Sequence, residues 1–221
     1  MAKLILLIAL SFSVAAVSSV AQDAASSART WTFDAEMPGS QPSGFTFERT
    51  GDGSQGNWVV KKDETAPSPG NVLAQLDADD TDYRFPVAVA VAPVLKNLEL
   101  SVRFKPVSGK VDRGAGLVFR YKDAGNYYVV RANALEDNIN LYHVVGGKRR
   151  QFAGWSGKVS SGVWHTLAAT ARGNHFEASF DGKKIIGADD ETFSDAGKVG
   201  LWTKADSVIH FDDLTVRPLS R

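Results

Sequence analysis

Asn97-Leu98-Glu99-Leu100-Ser101-Val102-Arg103-Phe104-Lys105 alternates apolar and polar residues without a break. A period of two places Leu98, Leu100, Val102 and Phe104 on one face of a strand and the polar set on the other. Outward from this run the same pattern recurs in Leu117, Phe119 and Tyr121, and again over Tyr127 to Ala134. In the latter, Tyr128, Val130, Ala132 and Ala134 share one face, while Tyr127, Val129, Arg131 and Asn133 share the other. No helix-length amphipathic segment interrupts these runs, so the chain reads as all-β.

Turn chemistry fixes how the strands pair. Gly146-Gly147, Gly173-Asn174 and Asp181-Gly182 each separate two alternating runs, which is the mark of tight hairpins. Hairpin-linked strands are antiparallel, so a parallel α/β sheet is disfavoured. The closing run carries a register conflict. Ile209 and Phe211 have one parity and Leu214 and Val216 the other, so burying all four requires a β-bulge at Asp212-Asp213. The alternative is that Leu214 faces outward.

The bulk properties set the class. Lys3, the apolar run from Leu4 to Val17, and Ser19-Val20-Ala21 read as a signal peptide over residues 1–21, cleaved before Gln22. An uncleaved anchor is the rival reading, but four serines dilute the run and no basic cluster follows it. Residues 22–29 form a short polar leader, and 30–218 a single domain large enough for one sandwich core. The expected location is secreted or periplasmic, with no membrane insertion after cleavage. With Cys 0, packing holds the fold without disulfides, or with help from a metal ion. Lys+Arg 25 against Asp+Glu 25 argues against nucleic acid or an anionic membrane surface as partner. The local run Lys148-Arg149-Arg150 reads as a solvated hairpin, and Asp77, Asp79, Asp80 and Asp82 as a solvated turn.

Trp164-His165-Thr166-Leu167, Phe180-Asp181-Gly182, Gly197 to Thr203 and Phe211 to Val216 together resemble the concanavalin A-like and laminin G-like families. The resemblance spans roughly residues 30 to 218. Within that group the chain is most similar to secreted bacterial proteins related to the 3-keto-disaccharide hydrolase domain. It implies a two-sheet antiparallel jelly-roll sandwich, with sugars bound on the concave outer face of one sheet. It also implies a structural Ca²⁺ ion near Asp34 and Asp212. Such folds host lectins, glucanases and binding modules alike, so the fold does not fix the activity.

The residues narrow that list. No glutamate begins the Glu-x-Asp-x-Glu strand of family 16 glucanases, and Glu136-Asp137 reads as a turn. Neither a His-Glu-x-x-His helix nor a Gly-x-Ser-x-Gly elbow is present. His143, His165, His175 and His210 lie far apart in sequence and read as satisfied strand residues. Sugar recognition needs aromatic platforms and forked polar groups. Arg120, Arg131, Asn133, Asn140 and Tyr142 fall on outward positions of consecutive strands, with Trp155 and Trp202 as platforms. Ordinary wet-face polar residues, and a Trp202 that closes the core, form the bland alternative.

Two functions stay open. One is a carbohydrate-binding or cell-envelope interaction module, with a glycan as partner. The other is a glycoside-cleaving enzyme resembling 3-keto-disaccharide hydrolases, which would need a base and a cation to steady an enolate. No catalytic base stands out in the sequence. Under the binding reading, Arg131→Ala is expected to lose glycan binding with its melting temperature nearly unchanged.

Overall fold

The computed structural model describes residues 27–220. The expected signal peptide and most of the expected leader lie outside the described residues, and Arg29 already opens the first strand. Fifteen strands follow in chain order: β1 (Arg29–Trp31), β2 (Phe45–Gly51), β3 (Trp58–Lys62), β4 (Asn71–Gln75) and β5 (Arg84–Ala90). Next come β6 (Leu98–Ser108), β7 (Gly114–Asp123), β8 (Asn126–Asn133), β9 (Asn138–Val145) and β10 (Lys148–Ser156). The last five are β11 (His165–Arg172), β12 (His175–Phe180), β13 (Lys183–Asp189), β14 (Lys198–Thr203) and β15 (Val208–Pro218). Among the described residues no helix is long and apolar enough to cross a membrane.

Two antiparallel sheets form a sandwich. One has the order β13-β12-β11-β6-β15-β4-β3, with β1 also paired to β15; the other has the order β10-β9-β8-β7-β14-β5-β2. Between them the inner faces interdigitate, as stacked sheets do. Leu98, Leu100, Val102 and Phe104 meet Leu117, Phe119, Tyr128, Val130 and Ala132 in this main core. The alternation read from β6 and β8 is therefore the alternation of burial.

The register conflict in β15 is resolved as expected. Its ladder with β6 slips between Asp212 and Thr215, and Asp213 takes a left-handed φ of 50. Ile209, Phe211, Leu214 and Val216 are all fully buried as a result. Without the extra residue Leu214 and Val216 would face water, at roughly 1.5–3 kcal/mol per side chain. Gly146 and Gly147 both adopt left-handed φ (54 and 78), the geometry of a type I′ hairpin, and so join β9 to β10 with a tight reversal.

The seven-stranded sheet carries a second apolar layer on its outer face. Phe85, Val87, Val89, Val118, Tyr121, Tyr127, Val129, Tyr142, Val144 and Trp202 form a cluster separate from the main core. Its existence shows that this face is curled and partly closed. In a flat sheet β10 and β5 would lie about 24 Å apart, five strand spacings. Instead the Arg149 amide at the start of β10 donates to the Tyr83 hydroxyl beside β5 at 2.9 Å, and that hydroxyl donates to the Gly147 carbonyl at 3.0 Å. The β9–β10 hairpin thus folds across the concave face, and it decides what remains accessible there.

Candidate functional site

Strand register brings the outward residues together. Asn140 of β9 sits opposite Arg131 of β8, Arg131 opposite Gly116 of β7, and Gly116 opposite Trp202 of β14. One row across the concave face therefore reads Asn140, Arg131, Gly116, Trp202. The adjacent row holds Gln151, Tyr142 and Val129. Gly154 pairs with Asn140, and a Cβ there would stand 2.3 Å from Asn140 Oδ1 and 2.8 Å from Gln151 Nε2. The missing side chain is what lets these two amides lie over the strand.

Arg131 anchors the polar part. It is almost completely buried, and its Nη2 donates to Glu136 Oε2 at 2.6 Å and to Asn138 Oδ1 at 2.7 Å. Its Nη1 lies 3.9 Å from Asp112 Oδ2, and Lys204 Nζ stands 3.0 Å from the same oxygen as an ion pair. Lys204 in turn pairs with Asp82 at 2.6 Å. Burial pushes the Asp112 carboxyl above its usual range despite both cations. For Glu136 burial acts in the same direction, but the Asn138 amide and the Arg131 guanidinium prevail and hold it low. The Asp206 carboxylate caps the backbone amides of Lys110, Val111 and Asp112, and so fixes the turn that delivers Asp112. Removing the Arg131 head would leave a buried carboxylate with one cation fewer, so Arg131→Ala costs stability. The expectation of an unchanged melting temperature is corrected by this geometry.

Asn133 is fully buried and structural. Its Nδ2 donates to Asp112 Oδ1 at 3.0 Å, and its Oδ1 accepts the Leu135 and Glu136 amides. Asn140 donates from Nδ2 to the Tyr142 hydroxyl at 3.0 Å. Tyr142 lies between two guanidiniums, with Arg131 5.5 Å and Arg149 4.5 Å from its ring centroid.

Three expected members stand differently. Arg120 sits in a left-handed kink of β7 and is buried away from this face. Its donors go to the carbonyls of Lys96, Phe193 and Gly173, and its guanidinium lies over the core ring of Phe176. The bulge after Phe119 breaks the alternation that would have aligned it with Arg131. Trp155 pairs with Ile139, a core residue, and leans on Phe180 at 6.3 Å, so it belongs to the inner side. Trp202 does lie on the concave face, but it is fully buried under Phe85 (5.2 Å) and Arg149 (5.5 Å). It is a floor, not an open platform.

The residues missed in the sequence are Arg149, Phe85, Asp112 and Lys204. Arg149 was hidden inside Lys148-Arg149-Arg150, yet alternation offered a signal, because the middle residue of a strand triplet faces opposite to its flanks. The acidic turn is also more than solvated. Asp77 and Asp79 pair with the buried Arg84 at 2.8 Å and 3.8 Å.

The metal expectation meets a mixed environment. Asp34 Oδ1 accepts the Asn71 amide at 3.0 Å, and Asn71 Nδ2 donates to the carbonyls of Asp34 and Glu36. Asn71 Oδ1 is buried with no hydrogen-bond partner. Those hard oxygens suit calcium. Asp212, by contrast, has both oxygens taken by Ser68. Among the described residues no group of three His, Cys, Asp or Glu gathers around a point that could hold a metal.

No family model matches the chain, and neither does any curated protein. Solved structures do match in fold. The carbohydrate binding module CBM66 from Bacillus subtilis is 21% identical, with a TM-score of 0.60, over 79% of this chain and 95% of that one. The VIP36 exoplasmic/lumenal domain in its Ca²⁺/Man-bound form is 12% identical, with a TM-score of 0.57, over 88% of this chain and 90% of that one. A Bacillus subtilis protein with a galectin-like fold is 13% identical, with a TM-score of 0.54, over 80% and 90%. At these identities the likeness establishes the fold, a jelly-roll sandwich of the type that the resemblance implied.

Proposed function

We propose that this chain binds carbohydrate on the concave face of its seven-stranded sheet, at the rim formed by Arg131, Asn140, Tyr142 and Gln151. The observation that carries this reading is the convergence of forked donors and amides from three neighbouring strands beside an aromatic ring. Forked polar groups against a ring face are what a pyranose offers partners for. The likeness in fold to a carbohydrate binding module and to a mannose-bound lumenal domain supports it. We further propose that the protein is exported, on the strength of the signal-peptide pattern in residues 1–21.

The test is a polysaccharide panel against the mature protein and its Asn140→Ala variant. Asn140 bonds only Tyr142 among the described side chains, so the variant is expected to keep its fold while losing affinity. Equal binding by variant and parent would remove this rim as the site.

A second reading, cleavage of keto-modified glycosides, is favoured by one observation. Asp112 and Glu136 both contact Arg131, and their surroundings move their proton affinities in opposite directions. Glu136, half exposed beside the Arg131 guanidinium, would be the base that abstracts the proton beside a keto group, kept ionised by that contact at some loss of base strength. Product formation followed by NMR on 3-keto-disaccharides decides between the two readings.

For calcium, the proposal narrows to Asp34 and Asn71 Oδ1 as ligands, with a structural role. A bound ion would raise the melting temperature by mass action. A transition that ignores both added Ca²⁺ and chelator would eliminate it.

A further inference from the structure

The guanidinium of Arg149 lies against aromatic rings and has no ion-pair partner among the described residues. It is packed over three rings, at 4.5 Å from Tyr142, 4.7 Å from Phe85 and 5.5 Å from Trp202. It makes no ion pair and donates no side-chain hydrogen bond to another described residue, and Nη1 is buried without a partner. The neighbouring cations differ in this respect. Arg131 is matched by Glu136 and Asp112, and Lys204 by Asp82 and Asp112. Burial pulls the Arg149 pKa down, because no carboxylate stands close enough to outweigh the loss of water. The aromatic faces recover part of that loss through cation–π attraction, but they accept no hydrogen bond from the fork.

We propose that the concave face selects an acidic glycan, and that Arg149 reads its carboxylate or sulfate group. This rests on the carbohydrate reading above and deepens it by naming the class of sugar. A guanidinium fork is matched bidentately by a carboxylate or a sulfate ester, and the aromatic cage holds that fork at a fixed orientation. The rim carboxylates do not oppose this, because Glu136 and Asp82 already spend their charge on Arg131 and Lys204. Neutral sugars would still meet Asn140, Gln151 and Tyr142, so charge rather than shape sets the preference. The hairpin supplies the geometry. Gly146-Gly147 reverses the chain, and Tyr83 pins the Arg149 amide across the cleft.

The experiment compares three probes with the mature wild-type protein by calorimetry: polygalacturonate, its methyl ester, and a sulfated galactan. The ester keeps the hydroxyls and loses the charge. The proposal expects at least roughly ten-fold tighter binding to a charged probe than to the ester, the worth of a charge-assisted hydrogen bond. Preference for polygalacturonate assigns the carboxylate as the anion, and preference for the galactan assigns the sulfate. Arg149→Gln should erase the preference, Arg149→Lys should restore it only in part, and Lys61→Gln on the opposite sheet should leave it intact. Equal affinity for the ester and both charged probes would overturn the role of Arg149 while leaving carbohydrate binding in place. No binding to any of the three probes, or to a neutral panel, would overturn both. The wild-type comparison decides even if an Arg149 variant fails to fold.

Discussion

Tyr83 and Arg149 are joined by a hydrogen bond of 2.9 Å from the Arg149 amide to the Tyr83 hydroxyl, across the open side of a curled sheet. That hydroxyl donates its own hydrogen bond to the Gly147 carbonyl, so one phenol fastens the tip of a hairpin to the far side of the cleft. Tyr83→Phe keeps the ring on Phe85 and removes only this latch. The loss is expected to be about 1–2 kcal/mol, felt locally. Hydrogen exchange at the Arg149 amide should quicken about five- to thirty-fold, with the β6 amides unchanged. Unchanged exchange at Arg149 would show that the hairpin is held by packing alone.

Trp202 forms the floor of the second apolar layer, fully buried beneath Arg149 and Phe85. Trp202→Ala should cost about 3–5 kcal/mol in a denaturant titration, the usual range for a buried aromatic. Trp202→Phe should cost clearly less. A loss below about 1 kcal/mol for the alanine variant would mean that the outer layer contributes little to folding.

Asp206 predicts the acid behaviour of the site. Burial alone would raise its pKa, but the backbone amides of residues 110–112 hold the carboxyl below the ordinary aspartate value of 3.8. A lowered folded value means that stability is present above the unfolded pKa and is lost as pH falls through the folded one. Asp206→Asn should therefore be less stable than the wild type at pH 7, by about 1.5–3 kcal/mol for charge-assisted bonds. The gap should narrow as pH drops below 3.8. A gap that stays constant from pH 7 to pH 3 would contradict the assignment.

Gly154 tests the rim independently of charge. Adding a Cβ would push the Asn140 and Gln151 amides aside, and both are flexible side-chain ends. Gly154→Ala should weaken glycan binding several-fold, with a stability change within about 0.5 kcal/mol. An unaltered affinity, measured by titration, would show that these amides do not touch the ligand.

Much of the architecture was legible because burial follows a period of two. β6, β8 and the paired hairpins follow directly from alternation and turn residues, and the Asp212-Asp213 bulge from a parity conflict that only one extra residue resolves. The site was legible only in part. Arg131, Asn140 and Tyr142 share a face because their strands are regular and consecutive. Arg120 escaped because a bulge turns it inward, and Trp155 because the β9–β10 ladder slips between Gln151 and Ala153. Arg149 and Trp202 needed the curl of the sheet, a property of the whole assembly that no local window contains.

The central claim is that ligand meets this chain on the concave face of the seven-stranded sheet. Backbone-amide NMR of the protein, titrated with the tightest-binding glycan, tests it most directly. The account predicts shift changes centred on Arg131, Asn140, Tyr142, Arg149 and Gln151. Changes confined instead to the opposite sheet, around Lys61, Lys105 and His210, would contradict it.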